Sequence, residues 1–389
     1  MISSALFANG VRVFGHHPVG NAPQGIYCVN GQCSQCTVLV DSIPVKACMT
    51  AVRPGMRITS CEGVPELPPD DRRPEFSEIE TIETEVLVVG GGPAGINTAV
   101  ELGELGIDTL LVDDKSKPGG KLTLQTHPFF GSREDCYAGT RGIEIADILT
   151  SKIDSLESVR VMKSTSAVGV FHDRAVGLYN EGRYLLVKPR AAVVATGARE
   201  KSIAFPGCDL PGVYGAGAFQ TLLNRDLVIP SERLFIVGGG NVGLITGYHA
   251  LQAGIKTVGL VEALDRCGGY KVHLDKLKEL GVSIFTRHTV VRAEGEQALD
   301  RVIISEIDEK FRPVKGTRRA FEVDTLLIAV GLSPINELHE KFREFGIESF
   351  TCGDAGEISE ASAAIFSGRI TGRRVARSLG YQVEIPDKW

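Results

Sequence analysis

No apolar run in this chain of 389 residues reaches the ~18 residues that a membrane-spanning helix needs. The opening residues, Met1-Ile-Ser-Ser-Ala-Leu-Phe-Ala-Asn-Gly, have no basic start and no apolar core of signal-peptide length. The expected location is therefore the cytoplasm. Aromatic residues are scarce, at 6 %, and Trp occurs once. A basic stripe is missing too, and the net charge is −6. That sets nucleic acid aside as a partner. With 43 % hydrophobic residues, the chain can bury a sizeable core, so bulk disorder is excluded. Its length suits two or three domains.

Glycine, by contrast, is in excess, with 45 residues. They cluster and have no three-residue period, which excludes a collagen-like chain. Nine cysteines need a reason other than secreted disulfides. Five are scattered (Cys61, Cys136, Cys208, Cys267 and Cys352) and read as buried or incidental thiols. The other four, Cys28, Cys33, Cys36 and Cys48, are spaced C-x4-C-x2-C-x11-C. This is the plant-type [2Fe–2S] ligand spacing. One tight loop brings three thiolates to one side of a small cluster, and Gly25 and Gly31 let its backbone curl. Residues 37–48 then read as a β-hairpin turning around Asp41 to Pro44. The hairpin returns Cys48 to the loop. Two other readings stay open. Zinc prefers paired CxxC knuckles, and only one CxxC is present here. A redox disulfide between Cys28 and Cys33 is the second.

Residues 62–80 are rich in proline and charge and read as a linker. Beyond them, a buried strand from Glu85 runs into Gly90-x-Gly92-x-x-Gly95 and an amphipathic helix. A second strand, Thr109-Leu-Leu-Val, ends at Asp113. Tight turn, pyrophosphate on a helix N-terminus and carboxylate on the ribose together make a dinucleotide fold. The pattern recurs. Arg233-Leu-Phe-Ile-Val precedes Gly238-x-Gly240-x-x-Gly243, and the strand from Lys256 ends at Glu262. A carboxylate there suits NAD over NADP, and Arg266 keeps NADP open. A structural adenine nucleotide such as ATP is open as well. Ala191-Ala-Val-Val-Ala-Thr196-Gly197 is a strand ending in a small-residue turn, and Thr325-Leu-Leu-Ile-Ala-Val-Gly matches it. Later, Gly353 and Asp354 sit at the tip of a short strand, before a small-residue helix from Glu360.

The order of these motifs resembles two-dinucleotide-binding flavoproteins of the glutathione and thioredoxin reductase superfamily. That resemblance implies FAD at Gly90, Gly92, Gly95, Asp113, Gly353 and Asp354, and NAD(P) at Gly238, Gly240, Gly243 and Glu262. Thr196 and Gly197 match its ATG turn. Gly119-Gly120-Lys-Leu is similar to its GGxL segment beside the flavin ring. Those reductases carry a redox Cys pair after the GG or before the second fingerprint. Here Lys121-Leu-Thr-Leu-Gln and Gly215-Ala-Gly-Ala-Phe-Gln-Thr-Leu-Leu have no Cys, so disulfide reduction is not expected.

A closer resemblance is to the ferredoxin-plus-flavin subunits of sarcosine oxidase (alpha), opine dehydrogenases, hydrogen cyanide synthase and dye-linked proline dehydrogenases. It rests on Pro23-Gln-Gly-Ile-Tyr-Cys28 through Val45-Lys-Ala-Cys48, on Phe205-Pro-Gly-Cys-Asp-Leu-Pro-Gly through Gln220, and on Gly269-Tyr-Lys-Val-His273 through Val282. The implied fold is α/β, with two nested dinucleotide-binding domains and an N-terminal partial β-grasp module. The expected division is 1–61 for the module, 62–80 for the linker, 81–214 with 325–389 for FAD, and 215–324 for the second nucleotide. Family ferredoxin domains open with a β-hairpin before the helix that residues 3–10 resemble. The β-grasp is therefore expected to be incomplete, finished by a partner, or preceded by further chain. The 389 residues match neither the folate-binding half of sarcosine oxidase nor the C-terminal Cys-rich domain of some relatives, so the resemblance does not imply tetrahydrofolate chemistry.

The expected cofactors are FAD, a [2Fe–2S] cluster and a second nucleotide, NAD(P) or ATP. The expected function is electron transfer in an amine or amino-acid dehydrogenase complex. Its partners would be a second FAD-containing subunit and a small electron carrier, in a hetero-oligomer. A self-sufficient NAD(P)H:acceptor oxidoreductase is one alternative, and a structural nucleotide-binding scaffold subunit is another. His127, in Gln125-Thr-His-Pro-Phe-Phe-Gly131, and Lys121 are the candidate catalytic residues. For His127, simple capping or packing is the other reading.

Overall fold

The computed structural model describes residues 1–73, 78–128 and 130–386. Residues 74–77 of the expected linker, Phe129 of the segment around His127, and residues 387–389 lie outside it. The chain forms two compact units. One is Arg73–Arg199 with Leu332–Trp389; the other is Met1–Arg72 with Glu200–Gly331.

The first unit carries the first fingerprint. Its sheet is parallel at the centre, where Thr81–Val89 lies between Thr109–Val112 and Arg183–Val194. Glu348–Thr351 adds to the far end of Arg183–Val194 in parallel. Val176–Asn180 and Thr165–Val170 extend the sheet as antiparallel strands. The central strand ends in an apolar run, Val86–Val89, because both faces are covered. Val86 and Val88 share a core with Ile96, Ala99 and Ile365, and Leu87 and Val89 share another with Val176, Leu178, Val187 and Phe342. The helix Pro93–Glu104 packs on the helix Ala361–Ser378, the expected small-residue helix. A Cβ on Gly368 would lie 2.2 Å from the Ala94 carbonyl oxygen, so the helices meet there only because that residue is glycine.

In the second unit, five parallel strands run in the order Val213–Gly215, Thr325–Ile328, Arg233–Val237, Lys256–Glu262, Ser283–Thr286. An antiparallel sheet of His288–Glu294, Arg301–Glu306 and Arg319–Glu322 accompanies them. This corrects two expected boundaries. Residues 200–214, expected in the FAD fold, fall in this unit, with Val213 and Tyr214 in its sheet. The sequence pattern returns Thr325–Ile328 to the FAD fold, yet the strand pairs with Arg233–Val237 in the register Leu234 to Thr325. The physical cause is close packing. The Ala329 carbonyl lies so near Gly238 that a Cβ there would sit 2.2 Å from its oxygen. Residues 325–331 thus complete the second fold as 191–197 complete the first.

The cysteine module belongs to the same unit. After the helix Ile2–Ala8 come five short strands in the order Pro23–Gln24, Gly15–His16, Ile58–Glu62, Thr37–Val40, Ile43–Lys46. The expected hairpin is present. Its turn residues Asp41 and Ser42 both have positive φ, 50° and 70°, as a two-residue hairpin turn requires. Pro44 is tolerated because Ile43–Lys46 is the edge strand.

The module does not hang on a tether. Ile2, Phe7, Phe14, Ile26, Val29 and Val38 share one buried core with Tyr214, Phe219, Leu222 and Leu234 of the second nucleotide fold. Each large apolar side chain contributes about 1.5–3 kcal/mol when buried, which far outweighs the polar ties. Those ties nevertheless set the register. Arg12 donates to the Pro230 carbonyl at 3.0 Å, Ser4 to Asp226, and the Gly215 N–H to the Tyr27 carbonyl at 3.3 Å.

Candidate functional site

The two glycine-rich loops are built alike. Gly90 and Gly238 have φ of 111° and 110°, a region open to glycine and strained for other residues. A Cβ on Gly95 would sit 1.9 Å from the Gly90 oxygen, and one on Gly243 2.2 Å from the Gly238 oxygen. The third glycine of each loop therefore lets the helix start against the turn. Gly92 and Gly240 precede the helices Pro93–Glu104 and Asn241–Gln252, and neither helix has a side-chain cap. A Cβ on Gly240 would meet nothing within 4 Å. Orphan N–H donors and a positive helix end at both loops, with open space beside Gly240, suit a pyrophosphate.

An acid closes each loop. Asp113 accepts the Gly91 N–H at 2.6 Å and the Lys115 N–H at 2.8 Å. Glu262 accepts the Gly239 N–H at 2.8 Å and the Leu264 N–H at 3.0 Å. Burial pushes Asp113 above the usual carboxylate range, partly offset by these N–H donors. Each carboxylate stands at a strand tip with acceptor capacity for a ribose hydroxyl. Asp113→Asn is expected to weaken FAD retention roughly tenfold or more, given ~1.5–3 kcal/mol for a hydrogen bond to a charged group. Equilibrium dialysis of FAD against the apoprotein measures it. Glu262→Gln, tested in parallel, should leave FAD retention unchanged.

A third part of this device was singled out from sequence in the first half, as the segment from Gly119-Gly120, but its counterpart at Gly268-Gly269 was missed. The Gly119 N–H donates to the Gly91 carbonyl at 2.7 Å, and the Gly269 N–H to the Gly239 carbonyl at 3.0 Å. A Cβ on Gly120 would lie 2.8 Å from the Gly92 Cα, and one on Gly269 2.9 Å from the Asn241 nitrogen. Both loops are thus overlaid by a Gly-Gly pair. The signal was available, because five residues separate the acid from the pair in each half, 113 to 119 and 262 to 268.

Around the first loop, Gly353 has φ 59°, and its absent Cβ would touch Ala94 at 2.7 Å. Asp354 accepts the Ser359 N–H, and burial raises it above the usual carboxylate range. Thr196 donates to the Ile335 carbonyl, and Gly197 has φ 72° with open space beside it. Lys121 lies exposed in the turn Gly120–Leu124. His127 is half-buried and stacks on Phe130, with ring centroids 5.2 Å apart. Gln125 was not singled out from sequence. Its Oε1 is buried without a hydrogen-bond partner, so a polar ligand is the natural complement on this segment.

The four cysteines of the N-terminal loop also converge. All nine cysteines are free thiols. Cys28, Cys36 and Cys48 are buried and Cys33 is half-buried. Cys28 interacts with Cys33 and Cys48, and Cys48 with Cys36. These contacts hold Cys28 well below the usual thiol value and lower Cys36 to about 7, while Cys33 and Cys48 are pushed up. The loop is braced by Lys46 Nζ on the Gly31 carbonyl at 2.7 Å, and by the Ala47 N–H on the Cys36 carbonyl at 3.0 Å. Among the described residues no three His, Cys, Asp or Glu side chains surround one metal-ion point. A [2Fe–2S] centre asks less of any one point, because its four thiolates are shared between two irons. Here Cys28 meets Cys33, Cys36 meets Cys48, and Cys28 with Cys48 joins the four into one group.

Two dinucleotide folds with complete loops, and a four-thiol module packed on one of them, define a flavin-dependent oxidoreductase with an iron–sulfur domain. The chain belongs to the pyridine nucleotide-disulphide oxidoreductase family, whose model matches residues 84–358. Residues 1–63 match a 2Fe-2S iron-sulfur cluster binding domain. These matches bear out the expected FAD, NAD-type nucleotide and [2Fe–2S] cofactors. The chain is 24 % identical to sarcosine oxidase subunit alpha of Corynebacterium sp. (strain U-96), over 99 % of this chain and 43 % of that protein. It is 26 % identical to hydrogen cyanide synthase subunit HcnB of Pseudomonas aeruginosa, over 73 % of this chain and 69 % of that one. The chain therefore spans less than half the length of the first relative. Its fold is similar to that of L-proline dehydrogenase from P. horikoshii, with TM-score 0.72 and 20 % identity, over 98 % of this chain and 71 % of that one. No helix among the described residues is long and apolar enough to cross a membrane.

Proposed function

We propose that this chain is the electron-transfer subunit of an amine or amino-acid dehydrogenase complex, with substrate oxidation on a separate FAD-containing subunit. FAD exchanges electrons in twos or ones and a [2Fe–2S] cluster singly, so together they supply a two-to-one electron step. The observation that carries the reading is the convergence of four thiols on a module that shares its core with the second nucleotide fold. Gly90, Gly92, Gly95 and Asp113 would hold the pyrophosphate and ribose of FAD, with Gly120, Thr196, Gly197, Gly353 and Asp354 around them. Cys28 with Cys33, and Cys36 with Cys48, would each hold one iron. His127 would carry a proton at its imidazole, and Lys121 a fixed positive charge. Relatives named as subunits support a hetero-oligomer.

A second reading has an observation of its own. Glu262 is placed as Asp113 is, on the middle glycine of its loop, which would make NADH the donor. Mixing the purified protein with NADH without oxygen separates the two. On the subunit reading, flavin absorbance stays unbleached over seconds while nucleotide binds. Rapid bleaching would instead establish an NADH-driven reductase. Pull-down from native extract should then recover a second FAD protein; its consistent absence would overturn the subunit reading.

A further inference from the structure

Charge is unevenly placed in this acidic chain. Residues 1–61 carry four Lys and Arg (Arg12, Lys46, Arg53, Arg57) against a single acid, Asp41. The remainder carries 38 against 47. Three of the four cations stand on the hairpin and the segment that leads from Cys48 into the strand Ile58–Glu62. Lys46, Arg53 and Arg57 are all exposed. None of them forms an ion pair among the described residues, while sixteen such pairs occur elsewhere. Asp41 does not neutralise Arg57. Its carboxylate takes the Arg57 backbone N–H at 3.3 Å. Lys46 holds its ammonium against the Gly31 carbonyl of the thiol loop. Two apolar side chains lie in the same stretch, Ile43 at 45 % and Val52 at 52 % exposure. Lys46 stands at the thiol-loop end of the hairpin and Arg57 and Ile43 at its turn, so exposed cations and exposed apolar groups together give this stretch the make-up of an interface.

We propose that this part of the module is the docking face for a small acidic one-electron carrier protein. The proposal rests on the electron-transfer reading above and adds to it the surface and the partner's charge. Charge complementarity selects the occupant. A basic face on a chain of net charge −6 attracts an acidic partner locally, and the rest of the chain repels that partner from other approaches. No carboxylate among the described residues pairs with these cations, so only solvent and salt screen their field. The step served is one electron from the reduced cluster to the oxidised carrier, with no bond made and no proton moved.

The test is binding, read by calorimetry on the cluster- and FAD-loaded protein, with an acidic plant-type ferredoxin as probe. Affinity is expected to fall about tenfold when salt rises from low to roughly 0.3 M, and about tenfold in Arg53→Glu/Arg57→Glu at low salt. Those two guanidinium groups have no ion-pair partner to lose, so the cluster and flavin spectra of the variant should be unchanged. Lys46→Gln should weaken binding less. Basic cytochrome c is the control and should bind weakly, and more tightly to the double variant. Ferredoxin binding indifferent to salt and to both substitutions, or cytochrome c binding the native protein as well as ferredoxin, would overturn the docking face. A variant with a normal, reducible cluster would in either case leave the electron-transfer reading standing. Loss of that reading would show instead as a native protein without a reducible cluster.

Discussion

Cys33→Ser is expected to abolish the cluster's visible absorbance and its electron paramagnetic signal after reduction, while FAD remains bound. Serine matches cysteine in size but offers a hydroxyl in place of a thiolate, and one iron loses a ligand. Cys33 is the half-exposed member of the four, so its hydroxyl can still reach water. The fold should survive. The groups proposed to hold FAD lie in the other unit, which has its own core from Val86 to Ala376. Cys48→Ser and Cys36→Ser should lose the cluster and also melt several degrees lower. Both residues are buried in the core shared with Phe219 and Leu234, where an unpaired hydroxyl costs about 1–3 kcal/mol. Absorbance per protein, flavin content and a melting curve read all three variants. If FAD leaves Cys33→Ser together with the cluster, the two cofactors do not have separate homes and the proposed residue sets are wrong.

The separation of these effects depends on features that are unequally visible in the sequence. The glycine loops, their acids and the Asp41–Ser42 hairpin are local. Each is written in fewer than about thirty consecutive residues, and backbone sterics or turn chemistry dictates each one. The cysteine spacing is local as well, which is why the four thiols group by their intervals alone. Assignment of Thr325–Ile328 is different. A buried parallel strand is apolar on both faces whichever sheet it joins, so Thr-Leu-Leu-Ile says nothing about its neighbour. Contact of Ala329 with Gly238 decides the matter, and no window of sequence contains both. The same holds for the module. Ile2, Phe7 and Phe14 announce that something covers them, but not that it is Phe219 and Leu222. A proline- and charge-rich stretch before the first fingerprint suggests a tethered module. The tether and the packed face are independent features, and only the first is visible in composition.

Gly95→Ala and Gly243→Ala, compared side by side, should divide the nucleotide sites cleanly. In each loop the added methyl would lie about 2 Å from a backbone oxygen of the same turn, that of Gly90 or Gly238. Neither oxygen belongs to a flexible side chain, so the helix must move away from its turn. The N-terminal N–H groups move with the helix and stop converging on a pyrophosphate. Gly95→Ala is expected to purify nearly free of flavin, at least tenfold below the native FAD content, and to keep its cluster absorbance, because the thiols belong to the other unit. Gly243→Ala is expected to retain FAD and to lose at least tenfold in affinity for NADH, or for ATP if that is the resident nucleotide. Flavin absorbance after gel filtration reads the first effect, and titration calorimetry with each nucleotide the second. The carboxylates should follow the same division, Asp113 with FAD and Glu262 with the second nucleotide. Should either glycine variant lose both nucleotides together, the two loops would have to serve one site, and the duplicated arrangement of glycine loop, acid and Gly-Gly pair would have no functional counterpart.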